Sequence, residues 1–164
     1  MAKVELKQPV VNEIKELLEG AETAVVVDYR GITVAQDTDL RKKLREAGIS
    51  YKVYKNTMIR FAAKGTAFEG LDPVLEGPTA IAVSKTDATA PARILAEFAK
   101  TAPALEIKGG VVEGVFYDAA GMQKISVIPS REILLGKLLG SIQSPITNFA
   151  RVLKQIADGQ GAEA

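Results

Sequence analysis

Apolar positions along this chain fall into two rhythms, and their order predicts the fold. Val10 or Val11, Ile14 and Leu17 or Leu18 recur at helical spacing, ahead of a stop at Gly20. Gln8-Pro9 is expected to open that helix, with Pro9 at its first position. Thr23–Tyr29 (TAVVVDY) is short, apolar and rich in β-branched residues, the pattern of a buried strand, and Arg30-Gly31 is the turn after it. Thr33 is placed to cap a helix running to about Ala47 with Leu40 and Leu44 facing inward, and Gly48 ends it. Ile49–Tyr54 alternates as a second strand. Asn56 or Thr57 is expected to cap a short helix, TMIRFAA, stopped by Gly65. A Gly/Pro-punctuated connection over 66–78 leads to a third strand at Thr79–Val83, a helix at Ala90–Ala102 and a fourth strand at Leu105–Val112. Gly109-Gly110 lies in or at the end of that strand pattern and predicts a bulge.

The sequence of elements from Thr23 to Val112 is the split βαβ pattern. It predicts an α+β fold: a ferredoxin-like βαββαβ sandwich with an added N-terminal helix, its helices on one face of an antiparallel sheet. An open α/β sheet is the competing topology. Beyond Asp118 the rhythm changes. Two helical stretches are expected, about Ser130–Ser141 and Pro145–Asp158, and Leu135, Leu139, Ile142, Ile146, Phe149, Leu153 and Ile156 alternate spacings of four and three along them. Gly136 and Gly140 weaken this stripe, and Ser144-Pro145 is expected to break and restart it. The terminal GQGAEA is expected to fray. The organisation that follows is a globular domain over 1–128 and a helical C-terminal region over 129–164. The stripe reads equally as core packing and as a face for a partner helix.

Composition narrows function mainly by exclusion. The chain has 164 residues, with no cysteine and no histidine. That removes disulfides, thiolate and imidazole metal sites, and nucleophile–histidine machinery. The N-terminus carries acids among its lysines and has no apolar core of a signal peptide, and no apolar run is long enough to span a membrane, so the cytoplasm is the expected location. No phosphate-loop or dinucleotide motif occurs, and Asp37 with Asp39 reads as a helix-start pair favouring the dipole. No catalytic residue, metal or cofactor is expected.

Charge changes the picture more. The net charge is +1, yet residues 41–64 hold eight basic groups, Arg41, Lys42, Lys43, Arg45, Lys52, Lys55, Arg60 and Lys64, against the single acid Glu46. Such a block on a near-neutral protein is an electrostatic footprint for a polyanion. Arg41 to Arg45 fit the solvated face of an amphipathic helix. The segment from Tyr51 to Arg60 is different, because it sets cations, an amide, a hydroxyl and aromatics where a strand runs into a helix N-terminus, which suits phosphate. Lys55 and Arg60 can pair with phosphate oxygens; Asn56 and Thr57 can cap the helix or bond sugar and phosphate. Tyr51 and Tyr54 do not share a face, so at most one stacks on a base and the other belongs to the core. Arg30 is either a turn arginine or a member of the same patch, if the first two strands end at one edge. An enzyme subunit of ferredoxin-like fold, binding a small anion in the basic window, is the alternative function.

The segments VVVDYRGIT, LRKKLREAG, YKVYKNTMIRFA and LEGPTAIAVS, in that order, resemble the bacterial ribosomal stalk-base family, the tenth protein family of the large subunit. The resemblance covers essentially the whole chain. It implies a structural, non-enzymatic protein whose N-terminal domain binds large-subunit ribosomal RNA beside a neighbouring stalk-base ribosomal protein. It further implies a C-terminal helix that holds dimers of the acidic stalk protein, which recruit translational GTPases, and in many bacteria repression of the protein's own messenger. Carried over, the RNA-facing positions are Lys7, Arg30, Gly31, Lys52, Lys55, Asn56, Thr57 and Arg60, and the docking positions are Ile146, Phe149, Val152, Leu153 and Ile156. A docking helix from Pro145, about 14 residues or roughly 21 Å long at 1.5 Å per residue, implies two dimers.

Overall fold

Strand β1 (Thr23–Asp28) is buried at all six positions, so the sheet it centres must be covered on both faces. The computed structural model describes residues 4–160, with side chains from 8 to 157, and divides between Pro129 and Ser130 into two compact units. In the first unit the elements follow as α1 (Val4–Leu18), β1, α2 (Val34–Glu46), β2 (Ser50–Val53), α3 (Asn56–Ala63), a 3-10 turn (Glu69–Val74), β3 (Ala80–Ser84), α4 (Ala90–Thr101), β4 (Glu106–Val112), β5 (Val115–Asp118) and α5 (Ala119–Ser126). The strand order is β2-β3-β1-β4-β5 and every neighbouring pair is antiparallel. The first four strands are arranged as the split βαβ pattern requires, and a fifth extends the β4 edge.

The expectation of helices on one face is corrected. Leu40 and Leu44 of α2, Leu95 and Phe98 of α4 and Met122 and Ile125 of α5 pack with Val25, Val27, Ala80 and Ala82. On the other face Ile14 and Leu18 of α1, Ile59 and Ala62 of α3, and Leu71 and Leu75 beside the 3-10 turn pack with Ala24, Val26, Ile81 and Val83. Alternate residues of β1 and β3 serve opposite faces, and both sets are apolar. Each fully buried leucine or isoleucine contributes about 1.5–3 kcal/mol by leaving water.

Local signals account for most element ends. Thr33 caps α2 in a capping box, its hydroxyl accepting from the Gln36 N–H at 3.3 Å while the Gln36 side chain accepts from the Thr33 N–H at 3.1 Å. Two differences concern helices. Pro9 lies inside α1, with a turn of helix before it, so α1 forgoes one backbone bond where proline has no N–H. The cap of α3 is Lys55, with no side-chain bond; neither Asn56 nor Thr57 takes that position. The hairpin to β5 was not anticipated. Glu113 and Gly114 both have positive φ, 51° and 80°, which makes the two-residue turn that suits antiparallel strands.

The bulge expected near Gly109-Gly110 is present one residue earlier. Val26 pairs with Gly109 and Val27 with Ile107, so Lys108 is the extra residue of β4. A Cβ on Gly110 would lie 2.9 Å from the Ala24 carbonyl oxygen, and glycine there permits the close approach of β1 and β4.

The second unit is one continuous helix, α6 (Arg131–Gln160), about 45 Å long for its 30 residues. The expected break at Ser144-Pro145 does not occur. Pro145 removes one backbone donor, and the residues of α6 around it are exposed, so the carbonyl it frees is not forced into an apolar interior.

Candidate nucleic-acid interface and helical docking surface

Ala80, at the start of β3, pairs with Val27 on one side and Val53 on the other. β1 and β2 therefore leave the sheet at one edge, two strand spacings or about 10 Å apart. The 77–79 segment enters β3 between them. A shallow cleft opens there, lined by Tyr29, Val53, Tyr54, Lys55, Asn56, Thr57 and the Gly77–Thr79 segment. Lys55 is exposed and, among the described residues, makes no ion pair. Asn56 donates its amide to the Gly77 carbonyl at 2.8 Å. With no side-chain cap, the first N–H groups of α3 remain available at the cleft.

Arg30 leaves the same edge, with its side chain 71% exposed. Its Nε and Nη2 donate to Asp28 at 3.1 and 2.9 Å, and its backbone N–H donates to Asp28 Oδ1 at 3.0 Å. Asp28 is itself only 5% exposed and has a second cation, Lys108, 3.4 Å away. Burial acts to raise the Asp28 pKa, but the bonds from Arg30 and the charge and hydrogen bond of Lys108 outweigh it and hold the carboxyl below its ordinary value. Gly31 has φ of 80°, and a Cβ there would meet the Ala104 side chain at 3.2 Å, so the turn itself accounts for glycine.

Other residues of the sequence-based set are placed elsewhere. Lys52 bonds the Glu13 carboxylate, which also accepts from the Tyr54 hydroxyl at 3.1 Å. These bonds, Lys52 first, lower the Glu13 pKa. Arg60 lies 3.6 Å from Asp72 and lines a neighbouring recess with Thr57, Phe61 and Lys64; Thr57 belongs to both recesses. Lys7 lies outside the residues whose side chains are described. Of the tyrosines, Tyr51 is core, burial pushing its phenol up to about 12, while Tyr54 lines the cleft. On α2, Arg41 pairs with Asp37 at 2.7 Å and stacks 5.2 Å from the Tyr51 ring, so part of the basic window is committed within the domain.

Sequence reasoning missed Tyr29, Asp28 and Lys108. Tyr29 is an exposed aromatic on the cleft wall, and its signal was an aromatic closing an apolar strand beside Arg-Gly. Lys108 carried no local signal, because its partners lie up to 80 residues away.

On α6 the large apolar side chains are exposed: Ile146, Phe149, Val152, Leu153 and Ile156 beyond Pro145, and Ile133, Leu134, Leu135, Leu138, Leu139 and Ile142 before it. A single helix has no second element within its own unit against which to bury this stripe.

These features define a class: a small α+β protein of the split βαβ type, with a basic strand-end cleft and an amphipathic helical extension. Comparison with known sequences makes this specific. Residues 2–100 match the family described as Ribosomal protein L10, and residues 128–164 match Ribosomal protein uL10 C-terminal region. The chain is similar to the large ribosomal subunit protein uL10 of Alkaliphilus metalliredigens, 53% identical over 94% of this chain and 93% of that one. It is likewise similar to the uL10 proteins of Macrococcus caseolyticus (47%, covering 98% and 93%) and Staphylococcus aureus (50%, covering 94% and 93%). The chain belongs to the ribosomal protein L10 family. It is thus a structural protein of the large ribosomal subunit, and the reading as a ferredoxin-like enzyme subunit is set aside.

Proposed function

We propose that the protein joins two partners in the cytoplasm: the strand-end cleft binds large-subunit ribosomal RNA, and α6 holds dimers of the acidic stalk protein, which recruit translational GTPases. The observation that carries the RNA reading is the corner Lys55–Thr57. A lysine without an ion pair among the described residues, an uncapped helix N-terminus and a hydroxyl meet at a cleft beside the exposed ring of Tyr29. Backbone N–H groups and a cation suit phosphate, and an aromatic face suits an unstacked base. Arg30 adds a largely exposed guanidinium at the same edge, and Thr57 links the cleft to the Arg60 recess. Lys52, engaged by Glu13, reaches RNA only by exchanging that partner.

The exposed stripe supports the docking role. Its apolar positions run from Ile133 to Ile156, and Leu139, Ile142, Ile146 and Phe149 keep the spacings of three and four across Pro145. We propose two dimers on this helix; the length of a segment beginning at Pro145 does not set that number, because α6 is continuous over 30 residues. Contact with a neighbouring stalk-base protein and repression of its own messenger belong to the same reading.

The deciding experiment is binding of the full chain to a transcript of the stalk-base region of large-subunit rRNA. Lys55→Glu should weaken binding by about tenfold or more at roughly 0.15 M salt, because charge repulsion replaces a phosphate contact. Undiminished affinity in a normally folded variant would show that the corner is not the RNA site.

A further inference from the structure

We infer that Lys108 is a positioning residue for the RNA-binding edge: it holds the Glu76–Pro78 loop in place through its side chain and does not itself touch the nucleic acid. This rests on the RNA reading above. The β4 bulge makes Lys108 the residue without a partner across β1, and bulges re-aim side chains. Its ammonium donates to the Glu76 carbonyl at 2.6 Å and the Pro78 carbonyl at 2.7 Å, and lies 3.4 Å from Asp28. A lysine ammonium has three donors. Two donate to carbonyls and the ammonium is also ion-paired with Asp28, on a side chain only 18% exposed, which leaves little of it open to a phosphate.

The loop is clamped from its other side as well. The Gly77 carbonyl accepts from the Asn56 amide at 2.8 Å and from the Thr79 hydroxyl at 3.2 Å. Three successive carbonyls are thus held, the outer two from β4 and the middle one from α3 and Thr79. Because Asn56 opens α3, the loop sets where Lys55 and the free N–H groups lie relative to the end of β1. Asp28 extends the same network to Arg30. Binding groups are effective only when such a supporting shell fixes them.

The test compares Lys108→Met, Lys108→Gln and Lys55→Met in the full chain, titrating the stalk-base transcript across a series of salt concentrations. Each phosphate neutralised contributes roughly 0.7–0.9 to the slope of log affinity against log salt. Lys55→Met should lower the slope by about that amount. Lys108→Met should weaken binding about tenfold at every salt concentration with the slope unchanged, and hydrogen exchange at the Gly77 and Thr79 amides should accelerate. If the methionine variant does not fold, the glutamine variant, which keeps a donor for one carbonyl, gives the same readouts at smaller amplitude. A slope reduced as in Lys55→Met would mean direct contact and overturn the inference, as would undiminished affinity in folded Lys108 variants. A wild-type chain that fails to bind the transcript would instead overturn the RNA reading itself, and this inference with it.

Discussion

Lys108 and Asp28 meet across the β1–β4 pair at 3.4 Å, at the point where the bulge displaces the register of the two strands. Asp28 has its pKa lowered by Arg30 and Lys108 against the opposing effect of burial. A carboxyl whose folded pKa lies below its unfolded value adds stability above the unfolded value, about 3.9, and loses it as pH falls through the folded one. Urea melts of wild type and Asp28→Asn should therefore differ most near neutral pH, with wild type the more stable. The gap should close as pH is taken below about 4. A gap independent of pH would show that the ionised carboxylate is not what stabilises this edge.

Glycine substitutions should have opposite effects in the two units. A Cβ at Gly110 would meet the Ala24 carbonyl oxygen at 2.9 Å and Val25 Cα at 3.2 Å, both backbone atoms that cannot swing aside. Gly110→Ala should cost about 1–3 kcal/mol, read as a lower urea midpoint. Gly140 sits in α6 with nothing within 4 Å of the position a Cβ would take. Gly140→Ala should favour the helix by about 1 kcal/mol, read by circular dichroism of thermal melts.

The capping box at the start of α2 gives a local prediction. Thr33→Ala removes the acceptor for the Gln36 N–H and should cost about 0.5–2 kcal/mol in chemical denaturation. Thr33→Ser, which keeps the oxygen, should recover most of that loss.

For α6 the informative change is polarity on the exposed stripe. Phe149 and Leu153 are both largely exposed in the chain alone. Phe149→Asp with Leu153→Asp should leave thermal unfolding of the α+β domain unchanged and abolish copurification of the stalk-protein dimers. Native mass spectrometry of the coexpressed wild-type complex should show two dimers per chain. Unfolding of the domain in the double variant would show that the stripe is core.

Particular residues show how far the sequence was legible. Leu40 and Leu44, four apart, are both fully buried, as their spacing requires. Thr33 caps the helix its hydroxyl was placed to cap. Tyr51 is buried in the core on one face of the sheet, and Tyr54, just beyond the end of β2, is half-buried at the margin of the core on the other. Asn56 does not cap α3 for a definite reason: its amide reaches Gly77, 21 residues away, and no helix-end rule contains that partner. Lys52 looked like a free cation and is bonded to Glu13, 39 residues away. The β5 hairpin left a trace in Glu113-Gly114 that was too short to stand out.

The sequence by itself determined the elements from Thr23 to Val112, their order and hence the split βαβ sheet, since periodicity, caps and turn residues act within a few positions of one another. It also determined that a basic strand-to-helix corner and an apolar C-terminal stripe exist. Only the tertiary structure decided which cations stay free and which are neutralised, that helices cover both faces of the sheet, and that Lys108 holds the loop beside Asn56. Those outcomes depend on strand register and on a one-residue bulge, which bring together groups far apart in the chain and leave no local pattern to read.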